Sequence, residues 1–361
     1  MSSSARPRRT LRAEPLAPPG AESLPEEFAP RRLLRRLLEA AALLIVVVLV
    51  AVLAPGLGQV RDRLAGADPG WLVLAAAFEA LSCLSYVFMF RAVFCRRMSW
   101  RTSAEIGWAE LAAGSLVPAS GAGGLALGAW ILRRGGMAVD KIARRSVAFF
   151  LVKSSVNFVA VAVLGTLMAV GIVGPHKSWL LTALPAALSV AVIVVVLAIP
   201  RLGPGSDPGP DASKPRRAWF AVRGAVIRGT AEAVELVRSR DPLVIVGAIG
   251  YWAWDNAVLW ATFHAVGADV PLSVVLMGYL IGQLGGLLPL PGGVGGIDGG
   301  LIGTLVVYGA PAAATTAAVL AYRLILFWLP LVVGGLAFAS LRRGLNRPER
   351  PDLCPAPVVG A

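Results

Sequence analysis

Seven ionisable side chains lie within apolar stretches of this 361-residue chain. A charged group at the centre of a bilayer costs about 2.5–3.5 kcal/mol, so each one needs a reason to be there. Such groups can bind a charged solute, carry a proton or pair with each other between helices. The seven are Glu79, Glu105, Glu110, Lys153, Asp255, Asp298 and Arg323, and the polar residues Asn157, Asn256, His264 and Gln283 accompany them.

Asp298 and Arg323 have side chains suited to an anion site. The guanidinium of Arg323 is always charged and can bind phosphate or carboxylate through two parallel hydrogen bonds. Asp298 stands at the foot of a glycine-rich run, where free backbone N–H groups can hold an anion or the carboxylate itself. The two residues could form a buried pair that a phosphate headgroup opens. They could equally form a permanent salt bridge between helices.

A second group of polar residues also favours a binding site. Lys153 and Asn157 lie one helical turn apart and present a cation and an amide on one face, although Lys153 could instead snorkel to the interface. Asp255 and Asn256 lie in the middle of a span and could bind a solute or make a polar contact between helices. The predicted substrate-binding residues are Arg323, Asp298, Lys153, Asn157, Asp255, Asn256 and Gln283.

Two broken apolar segments must position these side chains. The run from Pro289 to Gly300 contains two prolines and six glycines, and the run from Pro118 to Gly124 is a weaker copy in the first half of the chain. Lipid cannot hydrogen-bond a freed backbone, so such breaks occur where protein or a polar cavity covers them, as in transporter sites. Gly/Ala bias could produce part of this similarity. The predicted re-entrant motif residues are Pro118, Gly121, Gly123, Gly124, Pro289, Pro291, Gly292, Gly293, Gly295 and Gly296.

The glycines also have a structural interpretation. Gly292, Gly296 and Gly300 are spaced four apart, and so are Gly295, Gly299 and Gly303. This spacing is typical of helices that pack closely through small residues. It does not account for the two prolines, so close packing and a broken helix are both expected here.

Composition indicates a membrane protein. The chain is 57% hydrophobic with a mean hydropathy of +0.71, and apolar stretches recur along its length. The net charge of +13 comes largely from arginines clustered between these stretches, which is the positive-inside pattern and not a nucleic-acid-binding signature. This pattern places both termini in the cytoplasm. No cofactor or metal site and no catalytic residue is predicted, since the known enzyme motifs are absent and there are only two histidines.

The predicted fold is an all-α polytopic membrane protein with about six full spans and two opposed re-entrant helical hairpins in an inverted repeat. A single tilted span is the alternative to the first hairpin. The cysteines Cys83, Cys95 and Cys354 suggest no disulfide framework. The predicted spans are 37–53, 71–94, 146–172, 179–200, 242–266 and 314–340, with hairpins at 104–132 and 272–309.

Three segments make up the predicted domain organisation. Residues 1–30 are expected to form a disordered cytoplasmic N-terminus, 31–343 the membrane domain, and 344–361 a disordered cytoplasmic tail. Within the membrane domain, 201–241 should be a cytoplasmic linker and an amphipathic helix. That helix could lie in the membrane interface or simply connect two spans.

The second broken segment also resembles a known family. Its Pro-Gly-Gly-Val-Gly-Gly-Ile-Asp run, followed by Gly309 and Ala321-Tyr322-Arg323, is similar to the lysylphosphatidylglycerol synthase transmembrane (flippase-like) family over residues 37–343. The first motif of that family usually ends in a glutamate, where this chain has Gly124. The resemblance implies movement of an aminoacylated or glycosylated phospholipid between leaflets. The chain ends about twenty residues after its last span, so the soluble aminoacyltransferase domain of some members is not expected.

The predicted function is therefore a lipid flippase or transporter in the plasma membrane of a bacterium, and not an enzyme. Its expected partners are membrane lipids, a coupling proton or ion and a second copy of the chain in a homo-oligomer, without nucleic acid. Two alternatives remain open. One is a membrane-embedded transferase acting on a lipid-linked substrate, and the other is an accessory subunit of envelope lipid or glycan synthesis.

Overall fold

The computed structural model describes residues 57–116, 122–203, 213–284, 295–345 and 353–354, with isolated positions between 32 and 45. Within these residues the chain is helical and contains no strand, as the sequence predicts. The helices are α1 (Gly58–Ala65), α2 (Pro69–Phe94), α3 (Trp100–Leu116), α4 (Ala122–Arg134), α5 (Val139–Ala169), α6 (Ala183–Ala198, continued by a 3-10 turn, Ile199–Leu202), α7 (Lys214–Arg238), α8 (Pro242–Ala265), α9 (Leu272–Gly282), α10 (Gly296–Val307) and α11 (Ala312–Leu345).

Five of these helices are long and apolar enough to cross a membrane: α2, α5, α6 with its 3-10 turn, α8 and α11. They match five of the six predicted spans, and the sixth, 37–53, lies mostly outside the described residues. Each predicted hairpin is a pair of shorter helices, α3 with α4 and α9 with α10, packed side by side. The segments with the predicted breaks, 117–121 and 285–294, also lie outside the described residues.

The helices follow an internal repeat. Helices α2, α3, α4 and α5 have counterparts in α8, α9, α10 and α11, and each counterpart begins at a nearly constant offset along the chain. The first helix of each copy starts with the same Asp-Pro pair. Asp68 accepts a hydrogen bond from the N–H of Gly70, and Asp241 accepts one from the N–H of Leu243. The repeat thus covers four consecutive helices, and Gly/Ala bias does not explain it.

The first helices of the two copies, α2 and α8, pack antiparallel. Phe78 stacks on Trp254, and the hydroxyl of Ser82 donates to the carbonyl of Tyr251. Further along, a Cβ at Gly247 would lie 2.7 Å from the backbone nitrogen of Met89. Residue numbers therefore rise along one helix as they fall along the other. Equivalent helices running in opposite directions are what an inverted repeat requires.

The close contacts within the second hairpin come from glycines on α9. A Cβ at Gly278 or Gly282 would lie within 3 Å of Leu305 or Leu301 on α10. In contrast, a Cβ at Gly299 or Gly303 would meet none of the described residues within 4 Å. Within the described part of the chain these two glycines therefore make no close helix contact, and the tight contact lies on the other face of α10.

Helix α7 lies against the start of α5. Its buried face contains Gly224, Ile227, Gly229, Thr230 and Ala233, and Glu232 forms salt bridges with both Arg144 and Arg145 of α5. The apolar residues of this predicted amphipathic helix are therefore divided: Ala233 is buried in this contact, whereas Trp219, Val222 and Val237 are exposed. The helix packs on the bundle through the face that contains Ala233.

The structure differs from the sequence-based expectations at the cysteines, in the C-terminal segment and in the loop before α2. Cys95 and Cys354 form a disulfide across 259 residues, although the sequence suggested no such pairing. Leu353, beside it, is buried against the Gly135 region, so this part of the expected disordered tail is packed on the bundle. The connection between the first two predicted spans contains the short helix α1, where Arg63 donates to the carbonyl of Val266.

Candidate functional site

The polar side chains form a layer between two apolar clusters. Along α5, Val152 belongs to one cluster and Val161 to the other, and Lys153 and Asn157 lie between them. Asp255 has the same position on α8, between Ala248 and Val258. The helix–helix contacts on either side are apolar, so they hold this polar layer inside the bundle.

A cavity of about 250 Å³ occupies this layer. It is bounded by α5 from the first repeat and by all four helices of the second. Four of its non-aromatic side chains can donate hydrogen bonds to an anion: Lys153, Asn157, Gln283 and Arg323. The remaining lining residues are Tyr251, Trp252, Asp255, Tyr279, Ile297, Tyr322 and Leu326. Five of the seven predicted substrate-binding residues thus line one cavity.

Asp298 and Arg323 form the predicted ion pair. The Nε atom of Arg323 lies 2.7 Å from Oδ1 of Asp298, and each side chain is 16% exposed. The other carboxylate oxygen of Asp298 accepts a hydrogen bond from the N–H of Gly295, which has a positive φ of 86° that favours glycine. The start of α10 therefore fixes the carboxylate, and the carboxylate in turn fixes the arginine at the cavity wall.

Asp255 is held by two tyrosines from other helices. The hydroxyl of Tyr279 donates to Oδ2 and the hydroxyl of Tyr322 donates to Oδ1. Both carboxylate oxygens are thus occupied, and Asp255 joins α8, α9 and α11 at the cavity. This arrangement favours a positioning role for Asp255, which leaves the cations and amides to contact a bound molecule.

Lys153 lies beside two aromatic rings at the edge of the cavity. Its Nζ is 5.9 Å from the ring centroid of Tyr86 and 5.7 Å from that of Tyr251, within the range of a cation–π contact. None of the described carboxylates is close enough to form a salt bridge with it. Glu110, whose carboxylate accepts from Tyr86, interacts with it electrostatically. Lys153 is therefore available to an anion in the cavity.

Asn256 is the predicted site residue that lies away from the cavity. Its amide nitrogen donates to the carbonyl of Trp252, and its side-chain oxygen is buried without a partner among the described residues. Glu105 pairs with Arg101 and accepts from Ser340, near the end of α11. His264 stacks on Trp71 at the opposite end of the bundle.

The motif residues are only partly described. Gly123 and Gly124 are buried in the first turn of α4, and Gly295 and Gly296 begin α10. Gly124 is in close contact with α3, since a Cβ there would lie 2.4 Å from the carbonyl oxygen of Glu110. The other predicted motif residues, Pro118, Gly121, Pro289, Pro291, Gly292 and Gly293, lie outside the described residues.

The tyrosines were missed when the site was predicted from sequence. Tyr251, Tyr279 and Tyr322 line the cavity, and Tyr86 lies behind Lys153. Tyrosine is ordinary in membrane helices, so its type alone signals nothing. Their arrangement could have been suspected from helical spacing, because Tyr251 and Asp255 are one turn apart and Tyr322 is next to Arg323.

Comparison with known proteins supports the resemblance. The profile of the lysylphosphatidylglycerol synthase TM region matches residues 40–334. A UPF0104 membrane protein of Methanothermobacter thermautotrophicus is 26% identical over 314 residues, which cover 78% of this chain and 89% of the relative. A second match to a UPF0104 membrane protein of that organism is 32% identical over 94 residues, 26% of this chain and 28% of the relative. The chain is therefore a multi-pass membrane protein that belongs to the lysylphosphatidylglycerol synthase transmembrane-region family.

Proposed function

We propose that the protein is a lipid transporter that moves a phospholipid between leaflets by binding its phosphate headgroup in the cavity between the two repeats. The observation that carries this proposal is the convergence of Lys153, Arg323, Asn157 and Gln283 on one cavity. Two cations and two amides match the charge and the hydrogen-bonding needs of a phosphodiester. The proposed location is the bacterial plasma membrane. This part of the proposal rests on the composition of the chain, because the relatives reported above are archaeal.

The ion pair supports binding that can be reversed. Arg323 forms an ion pair with Asp298, so its charge is compensated inside the bundle. A phosphate in the cavity would share the guanidinium with that carboxylate and gain the ammonium of Lys153. Because Asp298 stays beside Arg323, the guanidinium exchanges one anionic partner for another when a headgroup binds, and it returns to Asp298 when the headgroup leaves.

The repeat supports movement between leaflets. The cavity lies between α5 of the first repeat and the helices of the second, and the first helices of the repeats are antiparallel. In many secondary transporters, inverted repeats rock against each other around a central site and expose it to either side in turn. The same motion here would expose the headgroup site to one leaflet and then to the other, while the acyl chains stay in lipid.

The cavity contains groups suited to binding rather than to bond making. Among the described residues that line it, the one carboxylate is Asp255. It accepts hydrogen bonds from Tyr279 and Tyr322 on both oxygens, so it is poorly placed to act as a general base. Lys153 and the two amides can bind and orient an anion without making or breaking covalent bonds. We therefore propose that the lipid is moved unchanged.

Transfer of fluorescent phosphatidylglycerol in reconstituted vesicles tests the proposal. The full chain should make labelled lipid in the inner leaflet accessible to an external quencher, faster than in empty vesicles. Lys153→Met keeps most of the side-chain length and removes the charge, and it should slow transfer about tenfold or more, the loss expected for one charge-assisted hydrogen bond.

Lys141→Met is the matched control. Lys141 lies on the same helix, about three turns before Lys153 and outside the cavity, so transfer should stay near the wild-type rate. Equal rates for wild type and Lys153→Met would overturn the headgroup site. Transfer no faster than in empty vesicles would overturn the transporter proposal.

A further inference from the structure

Glu110 is a buried carboxylate that headgroup binding does not use. It lies on α3 of the first hairpin and is 2% exposed. One carboxylate oxygen accepts a hydrogen bond of 2.7 Å from the hydroxyl of Tyr86 on α2. A lone buried carboxylate is costly in a membrane, so its surroundings have to provide a balance.

Helix α4 leaves room for this carboxylate. A Cβ at Gly128 would lie 1.4 Å from the Oε1 atom of Glu110, so only a glycine leaves this volume open. Gly124, one turn earlier, lets the same helix approach the Glu110 backbone. The two glycines thus form a niche for the Glu110 side chain between α3 and α4.

Lys153 lies between this niche and the cavity. It interacts electrostatically with Glu110, and it also lines the cavity. The ring centroids of Tyr86 and Tyr251 are 5.6 Å apart, and both rings lie beside the ammonium. Lys153 can therefore be balanced by Glu110 on one side or by an anion in the cavity on the other.

The repeat gives independent support for a role at the site. When the offset between equivalent helix starts is applied to Gln283, its counterpart in the first repeat falls between Ala109 and Leu111. Glu110 lies in the middle of that range. The first repeat therefore has a carboxylate where the second has a cavity-lining amide.

We propose that Glu110 carries the proton that is coupled to headgroup binding, with Lys153 as the link between them. Without a headgroup, the Glu110 carboxylate and the Lys153 ammonium balance each other. When Lys153 turns to a bound phosphate, Glu110 would remain as an unpaired anion in a low-dielectric environment, and it takes up a proton from water to become neutral. When the headgroup leaves, the proton is released. This inference rests on the proposed function.

The groups that face Glu110 are few. Among the described residues, Tyr86 of α2 and Lys153 of α5 are the titratable groups that interact with its carboxyl, and α3, α4 and α11 contribute none. Asp255 and Asp298 are occupied by the two tyrosines and by Arg323. Glu79 on α2 is also buried, but it accepts a hydrogen bond from Cys83 and does not line the cavity. Among these four carboxylates, Glu110 is therefore the one that interacts with Lys153.

Proton uptake on headgroup binding tests this inference directly. The detergent-solubilised full chain is titrated with sn-glycero-3-phosphoglycerol, a soluble phosphodiester that does not itself titrate near neutral pH. Calorimetry in buffers of different ionisation enthalpy gives both the affinity and the number of protons exchanged. Wild type should take up about one proton per headgroup bound, the stoichiometry of a single linked site.

Two variants separate coupling from binding. Glu110→Gln imitates the neutral acid and still accepts from Tyr86, so it should bind no more weakly than wild type and exchange no proton. Glu105→Gln, on the same helix but paired with Arg101 at the surface, should behave as wild type. The affinity of wild type, but not of Glu110→Gln, should fall as the pH rises, because the proton required for binding becomes scarce.

The outcomes distinguish this inference from the proposed function. Binding by wild type without proton exchange overturns the coupling role of Glu110 and leaves the headgroup site standing, and so does equal uptake in wild type and Glu110→Gln. If wild type does not bind the phosphodiester and moves no lipid in vesicles, the proposed function fails and the coupling inference falls with it. If Glu110→Gln does not fold, wild type that binds the phosphodiester without proton uptake still overturns the coupling role.

Discussion

The two repeats share a helical framework but differ in the polar groups that they contribute. In the second repeat, Asp298 holds Arg323, and two tyrosines hold Asp255. In the first, Lys153 lies between a cavity and a niche, and Glu110 lies in the niche. The second repeat thus supplies a fixed wall, and the first supplies charges whose partners can change. Sequence divergence between the copies has produced this division.

The hairpins differ in the same way. The first hairpin packs tightly through Gly124 and Gly128 of its second helix, around Glu110. The second hairpin packs through Gly278 and Gly282 of its first helix, and Gly299 and Gly303 of its second helix have no close neighbour among the described residues. Since α3 also packs along α11, a movement of the first hairpin would displace α11, the helix that carries Arg323. A carboxylate at a hairpin contact is therefore well placed to link protonation with helix movement.

The largest effect is expected for Arg323→Ala. This change removes the cation of the fixed wall and leaves the Asp298 carboxylate facing the cavity, so lipid transfer should fall about a hundredfold. Transfer of fluorescent phosphatidylglycerol in vesicles measures this effect. Arg343→Ala, at the exposed end of the same helix, is the control and should transfer lipid normally.

A double variant sharpens the interpretation of that result. Arg323→Ala with Asp298→Asn removes both charges, so it should melt at a higher temperature than Arg323→Ala alone and still transfer lipid poorly. If the double variant regained transfer, Arg323 would be needed only to neutralise Asp298. The pair would then be a structural salt bridge and not part of the headgroup site.

The hairpin glycines should differ in their tolerance of a methyl group. At Gly124 the neighbour is the backbone of Glu110, which cannot move away easily, so Gly124→Ala should lower the free energy of unfolding by about 1–3 kcal/mol. Gly299→Ala adds a methyl group in open space, and alanine favours a helix, so stability should stay the same or rise by up to about 1 kcal/mol. Thermal unfolding in detergent compares the two, and equal losses would contradict the difference between the hairpins.

Asp255 on α8 and Ser82 on α2 occupy equivalent positions in the two repeats. A smaller difference in stability is expected between variants at these two positions. Asp255→Asn keeps the shape but weakens the bonds to Tyr279 and Tyr322, so it should cost about 1–3 kcal/mol of stability. Ser82→Ala removes one hydrogen bond to the carbonyl of Tyr251 and should cost about 1 kcal/mol or less. Thermal unfolding in detergent again compares the two variants. If Ser82→Ala were the more damaging change, Asp255 would not be the residue that joins the second repeat.

Much of the fold could be predicted from sequence because the membrane imposes strong rules on composition. Apolar length located five of the six predicted spans, and the paired shorter helices lie on either side of the proline- and glycine-rich segments. The Asp298–Arg323 pair was predicted because each charge needed a partner at that depth. One sequence pattern was overlooked: α2 and α8 both begin with an Asp-Pro pair, at Asp68-Pro69 and Asp241-Pro242. This pattern would have extended the predicted repeat to four helices.

The rest of the site depends on contacts between distant parts of the chain. Tyr322 reaches Asp255 across 67 residues, and Gly128 is shaped around Glu110, so neither role is visible in a local pattern. The Cys95–Cys354 disulfide spans 259 residues and likewise has no local sequence signal. Local patterns identified the charged residues, whereas the contacts between helices decide which charges can change partner.

The most direct measurement is an experimental structure of the full chain with phosphatidylglycerol. The phosphate should lie in the cavity between the repeats, within hydrogen-bond distance of Lys153 and the Arg323 guanidinium, with Asn157 and Gln283 as neighbours. A lipid phosphate bound elsewhere on the protein, while Arg323 stays paired with Asp298 beside a cavity without a headgroup, would contradict this prediction.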